Sequence, residues 1–284
     1  MQPALIVIGI SFPGAPEAIR KRFRIAETRY AELLPKLICG QAIDEVAVLS
    51  TSHRTEFIVW TPDPAAAADS VLRCLTRELN LSLGEWTHFH RHAGDAALSY
   101  LLSVASGIPI ETKTDNGAER AAREAGLIAG IELAYREALR AGSLGRYLET
   151  VLSKTLAVAQ RASGSPYAKT PEATLHSEAA QLRARLDAIQ PHPVVPELRS
   201  RLERLCREEL QRLGDDLGPF TREQQGALKT LAANLMWRIT IPLERRLAYP
   251  HGALEEESLT KMVREVFELN ASAVPESERA TAGK

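Results

Sequence analysis

Apolar positions along this chain come first in short unbroken runs and later at helical spacing. Leu5-Ile6-Val7-Ile8-Gly9-Ile10 has the length and composition of a buried strand, closed by the loop Ser11 to Pro16. A helix follows, and a second is expected around Ala26 to Ile38. Val46 to Leu49 and Phe57 to Trp60 are β-rich runs flanking the polar cluster Ser50 to Glu56. That pattern predicts strands near 45–50 and 55–60 joined by a tight connection, with Ser52, His53 and Arg54 on the exposed rim. Pro64 opens another helix carrying Val71, Leu72, Leu75 and Leu79, and the alternation from Trp86 to His92 predicts a last strand. The order β-α-β-β-α-β is the ferredoxin-like split arrangement.

Beyond this point the helical period takes over. Ala96 to Gly107 is an amphipathic helix with a glycine stop. Leu144 to Arg161 carries a stripe of Leu148, Val151, Leu152, Thr155, Leu156 and Val158. Thr170-Pro171 opens a charged helix through Ile189, which Pro191-His192-Pro193 breaks. Pro196 to Leu213 follows, its arginines and glutamates balanced on a solvated face. Thr221 caps a further helix through Leu228, Leu231, Leu235, Met236 and Ile239, which Pro242 should kink or end. The expected fold class is α+β: a ferredoxin-like βαββαβ domain with added helices (1–143), a long spinal helix (144–163), a linker (164–170), an all-α domain (171–270) and a disordered tail (271–284). Apolar stripes too long to fold back into one compact core call for a partner helix, and so for a homodimer.

Composition narrows the function classes. With 284 residues and 45% hydrophobic content the chain can bury a real core. Its 35 basic and 36 acidic side chains nearly cancel, so no global field recruits nucleic acid. Cys39, Cys74 and Cys206 are odd in number and widely spaced, as reduced cytosolic thiols are. The early run Ala4 to Ile10 is too short for a signal peptide or a bilayer span, which predicts a cytoplasmic protein with no membrane partner. His88, His90 and His92 alternate onto one face of the predicted strand and are weak metal candidates. Same-face residues stand about 7 Å apart along a strand, whereas zinc holds its nitrogens near 2.1 Å, so a wetted sheet face is the stronger reading.

Several stretches resemble the glutamyl-tRNA reductases, which open tetrapyrrole synthesis from glutamate. Leu49-Ser50-Thr51-Ser52-His53-Arg54-Thr55-Glu56 is similar to the family's Leu-Ser-Thr-Cys-Asn-Arg-Thr-Glu. Val7 to Ser11 with Ala15-Pro16 resembles its opening Val-Ile-Gly-Ile-Ser-His-Lys-Thr-Ala-Pro, although Phe12-Pro13-Gly14 replaces the His-Lys-Thr that includes a substrate-side threonine. Ala97 to Gly107 resembles Ala-Val-x-His-Leu-Phe-x-Val-Ala-Ser-Gly, with Tyr100 at the histidine. Ala134 to Ala138, Ala141 to Gly145, Leu186 to Pro191 with Val195 to Arg199, and Phe220 to Gln225 extend the likeness into the spinal helix and dimerisation segment.

The resemblance implies a catalytic-like domain over 1–143 and a dimerisation domain over 171–270. It places Ser52 where the family has its nucleophilic thiol and Tyr100 where it has an acid–base imidazole, both expected to be non-functional. Arg54, Thr55, Glu56, Ser11 and His53 become the substrate-side residues, Arg54 as the group holding the substrate carboxylate. The family uses NADPH, but no Gly-x-Gly-x-x-Gly turn occurs here and the span 164–170 has room for a linker only, so no cofactor is expected. The leading expectation is a catalytically inactive paralogue in 5-aminolevulinate and haem biosynthesis that binds glutamyl-tRNA, a tetrapyrrole or haem, or the full-length reductase. Two alternatives stand beside it: a reductase that borrows a cofactor domain, and a Ser52-dependent glutamyl-tRNA esterase with His53 as base. Haem binding would draw on His53, the histidine strand or Cys39.

Overall fold

The computed structural model describes residues 4–12, 14–38, 42–107, 117–163, 172–189, 192–218, 220–248 and 253–269. Cys39, the linker at 164–170 and the tail at 271–284 lie outside them. The chain forms two compact units, Met1–Gln190 and Pro191–Lys284.

The first unit is built on four antiparallel strands, β1 (Ala4–Ser11), β2 (Glu45–Ser50), β3 (Arg54–Thr61) and β4 (His90–Ala93), in the order β2-β3-β1-β4. This is the expected split arrangement. Both faces of the sheet are covered, which is why β1 to β3 read as unbroken apolar runs. On one face Ile6, Ile8, Ile10, Val46, Val48, Phe57 and Val59 pack with Phe23, Tyr30, Leu34 and Val71. The helices there are α1 (Glu17–Arg22), α2 (Tyr30–Ile38) and α3 (Pro64–Leu79), the last capped by Asp63, which accepts from the Ala65 and Ala66 amides at 3.1 Å.

One short helix was not foreseen. α4 (Leu83–Trp86) begins where the Glu85 carboxylate accepts from the Ser82 amide at 3.0 Å and hydroxyl at 2.6 Å. That local capping overrides the alternation, so the last strand starts at His90 and not at Trp86, and His88 falls in the preceding turn.

The other sheet face, Leu5, Val7, Ala47, Leu49, Ile58 and Trp60, lies in a core shared with α5 (Asp95–Ala105), α6 (Gly117–Ala141), α7 (Arg146–Ser163) and α8 (Glu172–Asp187). α7 is pinned to the sheet at its N-terminus. The nearly buried Glu45 of β2 accepts from the Leu148 amide at 2.7 Å and the Tyr147 amide at 3.3 Å, and the Tyr147 ring stacks on Trp60 at 4.3 Å. A carboxylate on otherwise unbonded first-turn amides is favourable both as a hydrogen bond and against the helix dipole. Gly145 permits the approach, since a Cβ there would stand 2.2 Å from Glu45 Oε1.

The second unit is helical: α9 (Val194–Leu217), α10 (Arg222–Ala248) and α11 (Ala253–Val266). Val194, Val195, Leu198, Leu202, Leu247, Val263 and Leu269 form its core. Thr221 and Gln224 cap α10 reciprocally at 2.9 and 3.2 Å, and the helix continues past Pro242 to Ala248. Leu231, Leu235 and Ile239, one turn apart on α10, are exposed. No helix among the described residues is long and apolar enough to cross a membrane.

Candidate functional site

The connection between β2 and β3 is a hydroxyl-stabilised turn. The Thr51 amide donates to the Arg54 carbonyl at 2.8 Å, while Thr51 Oγ1 accepts from the His53 and Arg54 amides at 3.2 and 3.3 Å. The Phe12 amide donates to the His53 carbonyl at 2.9 Å and ties the end of β1 to the same turn. An extended chain would send Ser52 and His53 to opposite faces. The turn instead brings Ser52 Oγ to 2.8 Å from His53 Nδ1, with Ser52 open to solvent.

From Arg54 onward the chain is a strand, and alternation sorts its residues. Thr55 faces the α1–α3 side, where it shares a 3.0 Å hydrogen bond with Ser50, whose hydroxyl accepts from the Ile25 amide at 2.9 Å. It is separated from Arg54 and Glu56, which face the α5 side. Glu56 is 0% exposed, and its Oε1 accepts from the Tyr100 hydroxyl and from Arg54 Nη1 at 3.1 Å. His90 Nε2 stands 3.6 Å from the same oxygen. Tyr100 also meets Ser11, and His92 stacks on its ring at 4.2 Å.

Burial alone would push the Glu56 carboxyl up. Arg54, followed by the contacts from His90 and Tyr100, outweighs it and holds the group below the usual carboxylate range. Burial, then the neighbouring Glu56 charge, drives the Tyr100 phenol upward, away from neutral pH. The Tyr100 hydroxyl donates to Glu56. His92 is lowered by burial and by His90, against the pull of Glu56.

Ser11, Arg54 and Tyr100, each partly buried, thus meet around the buried Glu56, while Ser52 and His53 pair on the rim. His90 and His92 share a face with centroids 5.3 Å apart, and His88 is off the strand. Among the described residues no group of three His, Cys, Asp or Glu could hold a metal ion. Cys74 is partly buried, and burial pushes its thiol up to about 11, which makes it a poor nucleophile. Sequence reasoning missed the contact of His90 with Glu56 and the role of Gly9, which pairs with both residues across the sheet. The isolated glycine inside an apolar strand was the available signal for a close approach.

Comparison with known proteins follows the same geography. The profile for the glutamyl-tRNA(Glu) reductase N-terminal domain matches residues 8–109, and that for the dimerisation domain of the same enzyme matches 171–269. The glutamyl-tRNA reductase of Saccharophagus degradans is 29% identical over 159 residues, 55% of this chain and 34% of that protein. That of Hahella chejuensis is 31% identical over 159 residues, 56% of this chain and 35% of that protein. A solved glutamyl-tRNA reductase from Methanopyrus kandleri aligns at a TM-score of 0.47 and 12% identity, covering 94% of this chain and 99% of that one. Each aligned segment amounts to about a third of the curated relative's length. The two domain profiles together take in most of the sequence, one over the sheet that carries Glu56 and one over the C-terminal helices, and on that basis the chain belongs to the glutamyl-tRNA reductase family.

Proposed function

We propose that this chain is a glutamyl-binding member of the family within 5-aminolevulinate and haem biosynthesis, and that it does not carry out the reductive step. The observation that carries the reading is the Arg54–Glu56–Tyr100 cluster: a charge-balanced frame around a buried carboxylate to which the phenol is committed. Ser52 adds to it. A thiol near pKa 8.5 offers some thiolate unaided, whereas a hydroxyl needs a base beside it. On this reading the chain needs no NADPH, and it acts by holding glutamyl-tRNA or by pairing with an active reductase. The exposed Leu231, Leu235 and Ile239 stripe on α10 and the match to the dimerisation domain support a homodimer. Purified protein incubated with charged glutamyl-tRNA and NADPH is expected to give no glutamate semialdehyde. Product above background would overturn the reading, and elution as a monomer would remove the dimer.

A second reading draws on the 2.8 Å contact between Ser52 and His53. Ser52 Oγ would attack the glutamyl ester carbonyl as His53 Nδ1 takes its proton, and the ribose hydroxyl would leave with that proton. Water would then cleave the acyl-serine, giving glutamate and uncharged tRNA. Release of labelled glutamate, lost in both Ser52→Ala and His53→Ala, would establish it; unchanged release in either variant would exclude it.

A further inference from the structure

Thr51 holds the β2–β3 turn from within. Its amide donates to the Arg54 carbonyl at 2.8 Å, and its hydroxyl oxygen accepts from the His53 and Arg54 amides at 3.2 and 3.3 Å. One oxygen serving two successive amides folds the chain back between Thr51 and Arg54, as a hydroxyl-mediated turn does. The Phe12 amide steadies the same turn from outside the hairpin, at 2.9 Å from the His53 carbonyl. Ser52 is exposed and His53 only half-buried, so backbone conformation, more than packing around their side chains, brings Oγ to 2.8 Å from Nδ1.

Thr51 is itself seated from the other side. Gly130 lies buried in α6, in ordinary helical backbone, where glycine costs about 0.5–1 kcal/mol relative to alanine. No unusual dihedral calls for a glycine at that position; close approach does. A Cβ on Gly130 would stand 2.6 Å from Thr51 Cγ2 and 2.9 Å from Leu49 Cδ1. The helix therefore comes down directly on the end of β2 and on the methyl of Thr51. A β-branched side chain is stiff at χ1, so fixing that methyl also aims the hydroxyl at the two amides it serves.

We propose that Thr51, seated on Gly130 of α6, is the positioning residue of the Ser52–His53 pair: α6 locates its methyl, and its hydroxyl bends the chain so that Nδ1 reaches the serine. This assignment rests on the reading of that pair as a nucleophile and its base, and adds to it what aligns the two groups. The test follows the His53 Nδ1 resonance by nitrogen-15 NMR of the full chain, beside release of labelled glutamate from charged glutamyl-tRNA. Ser52→Ala marks the resonance of a ring that has lost the bond. Thr51→Val keeps the shape and loses the hydroxyl; it should move Nδ1 to that same position and lower release by about 10–100-fold. Gly130→Ala should act alike by pushing on the methyl. Adding Thr51→Ser to it removes that methyl, keeps the hydroxyl and should restore both readouts, while circular dichroism checks the fold of each variant. A purely structural Thr51 would lower stability and leave the resonance where it was. An unchanged Nδ1 resonance in Thr51→Val or in Gly130→Ala would overturn the proposal, and so would a Gly130→Ala defect that Thr51→Ser leaves in place. A wild-type resonance identical to that of Ser52→Ala would overturn it too. Absence of glutamate release from the wild type would remove the nucleophile reading alone, because the resonance still decides whether Thr51 aligns the pair.

Discussion

The rim and the cluster around Glu56 are separated by only a few residues of one hairpin, yet they obey different rules. Ser52 and His53 sit on a turn open to water, where a changed side chain alters chemistry without disturbing packing. Glu56 sits at zero exposure with a guanidinium, a phenol and an imidazole around it, where any change leaves a charge or a void. The chain's resemblance to its family keeps Arg54, Thr55 and Glu56 and departs at Ser52 and His53 on the rim, and also at Tyr100 beside Glu56.

That contrast can be broken experimentally, beginning with its most costly element. Arg54→Ala strips the cation from a buried carboxylate and should destabilise the fold by about 3–5 kcal/mol in urea denaturation. A loss under about 1 kcal/mol would mean that solvent reaches the pair. Acid should reveal the same group. The folded pKa of Glu56 lies below its unfolded value of about 4.3, so its contribution is full above that pH and is lost as pH falls through the folded pKa. The acid limb of the stability curve should flatten in Glu56→Gln, and an unchanged limb would assign it to other carboxylates.

Glu45→Ala comes next in size. It frees the Tyr147 and Leu148 amides at the start of α7 and should cost about 1–2 kcal/mol by the same measurement. Ser52→Ala and His53→Ala come last, each expected within about 0.5 kcal/mol of wild type. A larger loss at either would move the rim pair into the structural frame and erase the distinction.

The hairpin and the sheet were legible because β1 to β3 are unbroken apolar runs, which two covered faces demand. The start of β4 was not, because the Ser82–Glu85 pairing claims Trp86 for a helical turn before the alternation can act. Alternation placed His90 with His92, and the start of β3 at Arg54, which was expected on the exposed rim, adds the pair of Arg54 with Glu56. Alternation could not bring those pairs together, because their meeting depends on the register of β1 between β3 and β4. His90 therefore looked like a metal candidate on a wetted face, and its neighbour Glu56 stayed out of view. Tyr100 was placed by resemblance, but its bond to Glu56 needed the helix in position.

The grip of Glu45 on the head of α7 has a mechanical side. An 18-residue helix is about 27 Å long, so a tilt of roughly five degrees at the pinned end displaces the far end by about 2 Å. The strand holding that pin also leads into the turn presenting Ser52.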